Sequence, residues 1–448
     1  MKKKNGDGRV QFLNGWKKYL KAIGRKKKVG TPHGINLTNL SKEVVSSPVI
    51  EKIDEISKLK TNSVSVSVDG KVKVPKYFSL YTHPEVVLGF IHAVTAIVSR
   101  GKHKSITLDY SRVRKYCVGA ECLLALALSE ARKANLNFPN DAILINGVYP
   151  KNTEHLEIIR DIGIVKELKE VESDKVKDLS IFRDNPMQRI FKCDSKEHEV
   201  ASAYAVDAKN NAAQDFSRYL SKCLEDHKVK LNDKATGYLT SCMGELLDNA
   251  ERHSGMSGRA RWYLRGYVDN SSKKPVCEIS IFNFGMTIAE TFNDLPSEHY
   301  SLSKQIKPYI AMHSGKKGMF NDGLVTIAAL QGRVSCQNVN IRDSSGTGTI
   351  ELLKFFQDMH DELRKIKNWV DEKPIISLIT GDTHIIIDGE YPLKVKESED
   401  GGESYRYPFN NIGLEVEPDR TYLIEMKKVR FPGLMVNIRF PLEKTLSN

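Results

Sequence analysis

The stretch GELLDNAERHSG, residues 244–255, constrains this chain more than any other segment of it. It sets Glu245, Asn249 and His253 four residues apart. Four residues turn an α-helix by about 400°, so the three side chains fall in one narrow row. Met243, Leu246, Leu247 and Ala250 follow apolar helical spacing in another sector of the same helix. One sector can bury while the polar row faces something else. A solvated face is the ordinary fate of such a row. The downstream sequence decides between that and a site.

Three further signals follow in order. ISIFNFGMTI reads as a strand that stops at Asn283, with Gly285 two residues on and Thr287 after it. LQGRVSCQNVNIRDSSGTGTIELLKFF places Gly346 and Gly348 immediately before a helix. Glycines there let backbone N–H groups approach an anion, and the helix N-terminus adds positive partial charge. FPGLMVNIRFPL leads Gly433 into a final strand. Taken alone, each glycine pair fits an ordinary loop equally well.

In this order the signals resemble the GHKL ATP-binding superfamily, over about residues 200–445. ELLDNAERH carries the match. The resemblance implies that Asn249 binds Mg²⁺ at the triphosphate of ATP. It implies that Glu245 is a general base and that His253 lies near the phosphates. The chemistry agrees, because Mg²⁺ takes few protein oxygens and completes its shell with phosphates and water. The base-reading Asp of the family's D-x-G-x-G turn is Asn283 here, the second Gly is Thr287, and the hydroxyl residue after Gly433 is Leu434. The phosphate end is thus kept and the base end altered. Lys316 and Lys317 are candidates to approach phosphates from a lid at about 310–348, although solvated loop lysines explain them as well.

Upstream, ITLDYSRVRKYCVGAECLLALAL and AILINGVYPKNTEHLEIIRDIGI are similar to the strand–helix units of STAS domains. Where many of these carry a phosphorylatable Ser-Ser-Gly, this chain has Cys117-Val118-Gly119, so no phosphosite is carried over.

The expected fold class is therefore α/β: a basic tail (1–30), a STAS-like α/β domain (31–180), a charged linker near 168–180, and a GHKL α/β sandwich (196–448). Its mixed sheet would be covered by helices on one face. The expected function is a Mg²⁺-dependent ATPase whose nucleotide state switches conformation or partner contacts, in a bacterial regulatory or defence-type system. An anti-sigma-type protein kinase acting on a STAS-like partner, and a non-hydrolysing nucleotide sensor, stand as alternatives. A regulatory protein partner and a homodimer are compatible with each.

The formal net charge is +12, but residues 1–30 hold eleven Lys or Arg against one Asp. The tail thus carries most of the imbalance and suits nucleic acid, an anionic surface or an acidic partner. Seven cysteines are scattered with no CxxC pair, which argues for a reducing, cytoplasmic setting and against a zinc site. No apolar run is long enough for a transmembrane helix.

Overall fold

The computed structural model describes residues 47–58, 64–100, 103–135, 143–168, 187–195, 203–253, 261–340, 343, 346, 348–368, 373–397 and 403–443. The basic tail, and all of the expected linker except Leu168, lie outside them.

The N-terminal portion of the chain alternates helices and short strands. α1 (Pro48–Asp54), β1 (Lys71–Lys73), β2 (Tyr77–Phe78), α2 (Pro84–Ser99), β3 (Ser105–Asp109), β4 (Lys115–Tyr116), α3 (Val118–Asn135), β5 (Leu144–Val148), α4 (Thr153–Asp161) and α5 (Ile164–Leu168) follow one another. β1, β3 and β5 form a parallel sheet in the order β1-β3-β5, as strands joined by helical crossovers do. Every residue of α3 from Val118 to Ser129 is buried, including Glu121, which pairs with His155. Such a helix must be covered all round.

β6 (Gln188–Asp194), α6 (Ala203–Glu225), α7 (Asp233–Arg252), β7 (Arg261–Asp269) and β8 (Val276–Phe284) come next. α8 (Ile288–Asn293), a π-helical turn at Ser301–Ile306, α9 (Lys307–His313), α10 (Asn321–Ala329) and α11 (Gly348–Lys367) lead to β9 (Ile375–Gly381) and β10 (Thr383–Ile387). The hairpin β11 (Lys394–Glu397) and β12 (Glu403–Arg406) precedes β13 (Leu423–Glu425) and β14 (Phe431–Pro441).

Seven strands form one sheet in the order β13-β10-β9-β14-β8-β7-β6. Every neighbouring pair in it is antiparallel, so the sheet is not the mixed one expected. It is also covered on both faces rather than one. Cys277, Ile279 and Ile281 of β8, with Val436 and Ile438 of β14, pack under α6, α7 and α11. Phe282 and Phe284, with Met435 and Phe431, point the other way into a core shared with α2 and α3. Alternating side chains leave a strand on opposite faces, so a strand apolar at both parities is buried twice.

Residues Ser46–Asn448 accordingly form one compact unit, and the expected boundary at 180–196 does not divide it into separate bodies. Gly119 marks the closeness of the docking. A Cβ there would overlap the Asn437 side-chain oxygen of β14. The Val118 N–H at the start of α3 donates to Glu278 Oε2 of β8 at 2.8 Å. The start of α3, at Cys117-Val118-Gly119, is therefore buried against the large sheet. No helix among the described residues is long and apolar enough to cross a membrane.

A buried histidine makes this core sensitive to acid. His384 of β10 is 1% exposed, and its Nε2 lies 3.0 Å from Ser377 Oγ. Burial pushes the ring's pKa down to about 4 from an ordinary 6.5. The folded state thus prefers the neutral ring. Its contribution is intact above about pH 6.5 and is lost as pH falls toward 4, on the order of 3 kcal/mol in all. Urea unfolding between pH 7 and 4.5 should show this fall, and His384→Gln should flatten it. Equal slopes in parent and variant would refute the assignment.

Candidate functional site

α7 begins at an Asn232 cap, whose side chain accepts from Ala235 N–H at 2.8 Å. Leu239, Cys242, Met243, Leu246, Leu247 and Ala250 fix its buried side. Glu245 and Asn249 stand along the helix as the spacing predicts. The row is shorter than expected, because α7 ends at Arg252 and His253 is its C-cap. The His253 carbonyl accepts from Met286 N–H at 2.8 Å, which ties the helix end to the turn after β8. Its ring Nε2 lies 3.7 Å from Cys336 Sγ.

Asn249, His253, Asn283 and Gly346 line one cavity of about 120 Å³, together with Leu434. The register explains the pairing of Asn283 with Leu434. Asn283 of β8 lies directly opposite Leu434 of β14, so both leave the same face of the sheet, toward the helices. Asn283 is 6% exposed, and its amide makes no hydrogen bond with the described residues. A buried amide left open toward a cavity is a place for a ligand to bond.

Glu245 stands next to this cavity, at the start of α11. Its carboxylate accepts from the Gly348 N–H, and a Cβ at Gly348 would overlap it. Partial burial of the carboxylate, with the Glu351 charge beside it, raises its pKa, and the Gly348 bond pulls the other way. Burial, with Arg252 adjacent, lowers the pKa of His253. Asn249 Oδ1 accepts from Arg252 Nη1 at 3.2 Å. A cation on that oxygen would have to displace Arg252.

Gly346 has φ of +93°, and a Cβ there would overlap the Val334 carbonyl, so the loop before α11 needs a glycine. The remaining expected site residues shape the backbone instead of lining the cavity. Gly433 has φ of +134° at the irregularity between β14 and β9, and a Cβ would overlap the Asn283 carbonyl. Gly285 N–H bonds Pro432 O at 3.1 Å beside it. Thr287 is the N-cap of α8 in a reciprocal box with Glu290. Its hydroxyl is committed to that cap and does not stand in for a base-reading group.

The expected lid at 310–348 is also narrowed. Residues Gly323–Ala328 of α10 are buried in the core, so that helix is not a free cover. Lys316 bonds Glu417 at 2.8 Å and does not reach into the cavity, while Lys317 is exposed to solvent. Arg252, Cys336 and Thr349 join the site without having been expected there. Arg252 follows Asn249 by three residues, a spacing that puts the two on one face and makes their contact readable from sequence.

No family model, curated protein or solved structure matches the chain.

Proposed function

We propose that this cavity binds the base end of a Mg²⁺-nucleotide, ATP, and that the protein is a GHKL-type ATPase whose nucleotide state changes its shape or its partner contacts. One observation carries the reading. Asn249 and His253 at the end of α7, Asn283 at the end of β8 and Gly346 before α11 meet at one cavity. The residues suit the ligand chemically. Asn283 offers an oxygen and an N–H₂ to a base edge. Asn249 would hold Mg²⁺ through its oxygen once Arg252 turns away. Mg²⁺ supplies charge neutralisation at the phosphates. Gly346 and the N-terminus of α11 would face the phosphates. Glu245, with its raised pKa, would take a proton from the attacking group after leaving Gly348.

At about 120 Å³ the cavity is smaller than the roughly 300–1,000 Å³ of typical ligand pockets. It suits a base rather than a whole nucleotide, and the triphosphate would extend toward Gly346. A second reading, a sensor that binds but does not hydrolyse, draws on the Glu245–Gly348 bond, which occupies the base. Phosphotransfer to a regulatory protein, in an anti-sigma manner, is the remaining alternative. Phosphate release set beside labelled γ-phosphate transfer separates the three.

Base recognition has its own test. Asn283→Ala should weaken nucleotide binding by about 1–3 kcal/mol, the cost of one buried hydrogen bond. Asn283→Asp should sharpen preference for adenine over guanine. Calorimetry with ATP and GTP reads both, and unchanged profiles in the two variants would move the base elsewhere.

A further inference from the structure

The opposite face of the large sheet carries a second cavity, of about 330 Å³, within the size range of ligand pockets. Its floor is a row across neighbouring strands. Tyr267 of β7 pairs with Glu278 of β8, Glu278 with Arg439 of β14, and Arg439 with Ile375 of β9. Directly paired residues leave one face together, and here it is the face on which α3 docks. Tyr116 and Ile158 close the cavity from the N-terminal portion of the chain.

The acceptors at this cavity already have partners. Glu278 takes the Val118 N–H at 2.8 Å. Glu154 takes Ser272 Oγ at 2.6 Å, and Asp269 takes Ser271 N–H at 2.9 Å. Glu443 takes Lys367 at 2.7 Å. Against these four carboxylates the lining sets three cations, Lys274, Lys373 and Arg439, and some of its donors are left without a close partner. Tyr267 is 5% exposed, and its hydroxyl is buried with no hydrogen-bond partner among the described residues. The Arg439 side chain is 45% exposed, and its contact with Glu278 is a loose 3.7 Å. The Lys274 ammonium makes no ion pair with the described residues. A buried hydroxyl left open costs free energy unless something accepts from it, and a half-open guanidinium is suited to a planar or tetrahedral oxyanion. The Tyr116 ring, stacked on His155 at 4.2 Å, adds an aromatic wall beside Ile158 and Ile375.

We propose that this cavity is a second ligand site, which takes a small molecule with one carboxylate or phosphate group on a compact aromatic or apolar body. The anion lies over Arg439 and accepts from Tyr267, and the body rests against Tyr116 and Ile158. The site stands apart from the nucleotide reading, since it lies on the other side of the sheet from Asn249 and Asn283. Through Glu278 it touches the start of α3, so an occupant borders the seam between the N-terminal elements and the large sheet.

The test titrates benzoate and phenyl phosphate into the full chain by calorimetry, at constant ionic strength with chloride as control. At least one probe should bind saturably, and its preference identifies carboxylate or phosphate as the anion. Arg439→Gln should weaken that binding about 10-fold or more, the usual loss for a charge-assisted bond. Tyr267→Phe keeps the ring and removes only the hydroxyl, so it should weaken binding several-fold while the melting temperature holds. Asn249→Ala should bind the probe as the parent does. The proposal is overturned if neither probe saturates, or if the folded Tyr267→Phe and Arg439→Gln variants bind like the parent. Loss of probe binding in Asn249→Ala would likewise overturn it by placing the probe in the other cavity.

Discussion

Glu245→Ala is expected to lower ATP turnover by about 10²–10⁴-fold, the usual contribution of a positioned general base. Nucleotide affinity should hold, because a base matters mainly as the attacking group loses its proton. Asn249→Ala should do the reverse in the ground state. Removing the side-chain oxygen that Asn249 offers at the cavity should abolish the Mg²⁺ dependence of nucleotide binding. Phosphate release and calorimetry with and without Mg²⁺ read the pair. If both variants bound and turned over nucleotide like the parent, the polar side of α7 would be a solvated face. If the parent bound nucleotide without ever releasing phosphate, the sensor reading would replace the enzyme reading.

The second large effect concerns the fold. A fragment of residues 196–448, the expected nucleotide-binding domain, should fail to fold as a soluble, cooperative body. Cutting there bares Tyr263, Phe282, Phe284, Ile379, Phe431 and Met435, all buried in the core shared with α2 and α3. Burying a large apolar side chain is worth about 1.5–3 kcal/mol, so the set amounts to something on the order of 10 kcal/mol. That approaches the whole stability of a typical domain. The fragment also bares Glu278 without the Val118 N–H from which it accepts. Circular dichroism melts of 196–448 beside 46–448 decide the matter. A fragment that melts cooperatively near the longer chain's temperature would show that the seam is only a contact.

Much of this is legible in the sequence. The hairpin of β7 and β8 shows itself through alternation and the DNSSKKP turn. The apolar spacing of α3 fixes that helix to within a few residues, whereas that of α7 shows only its later half, from about Met243, and leaves its start at Asp233 unmarked. Periodicity says nothing about which strand lies beside which, and the antiparallel order of the large sheet is invisible for that reason. The second buried face is barely readable from parity. Only Phe282 and Phe284 at the end of β8 point to it, since Glu278 and Ser280 on the same side read as a polar face, which is why cover on one side alone is what the alternation predicts.

At the site, the meeting of Asn249 with Asn283 at one cavity is what the GHKL resemblance implies, and no local pattern gives it. The role of Thr287 does not follow from a search for a turn glycine, because T-x-x-E there spells a capping box. His253 keeps the four-residue spacing, but the helix stops one residue before it, and spacing alone does not show where a helix ends. Lys316 is drawn away by Glu417, a residue 101 positions along the chain that no local pattern points to.

The position of β14 has a consequence for how the molecule comes into being. It is the last described strand in chain order, yet it lies between β8 and β9 near the middle of the large sheet. During synthesis β6, β7 and β8 leave the ribosome as one ribbon, and β9, β10 and β13 as another. The two ribbons share no edge until residues 431–441 arrive to bridge them. Each waits with an open hydrogen-bonding edge, the condition under which strands find wrong partners. Completion of the sheet thus waits for residues 431–441, and a nascent chain stalled before Phe431 holds two half-sheets that no strand yet joins.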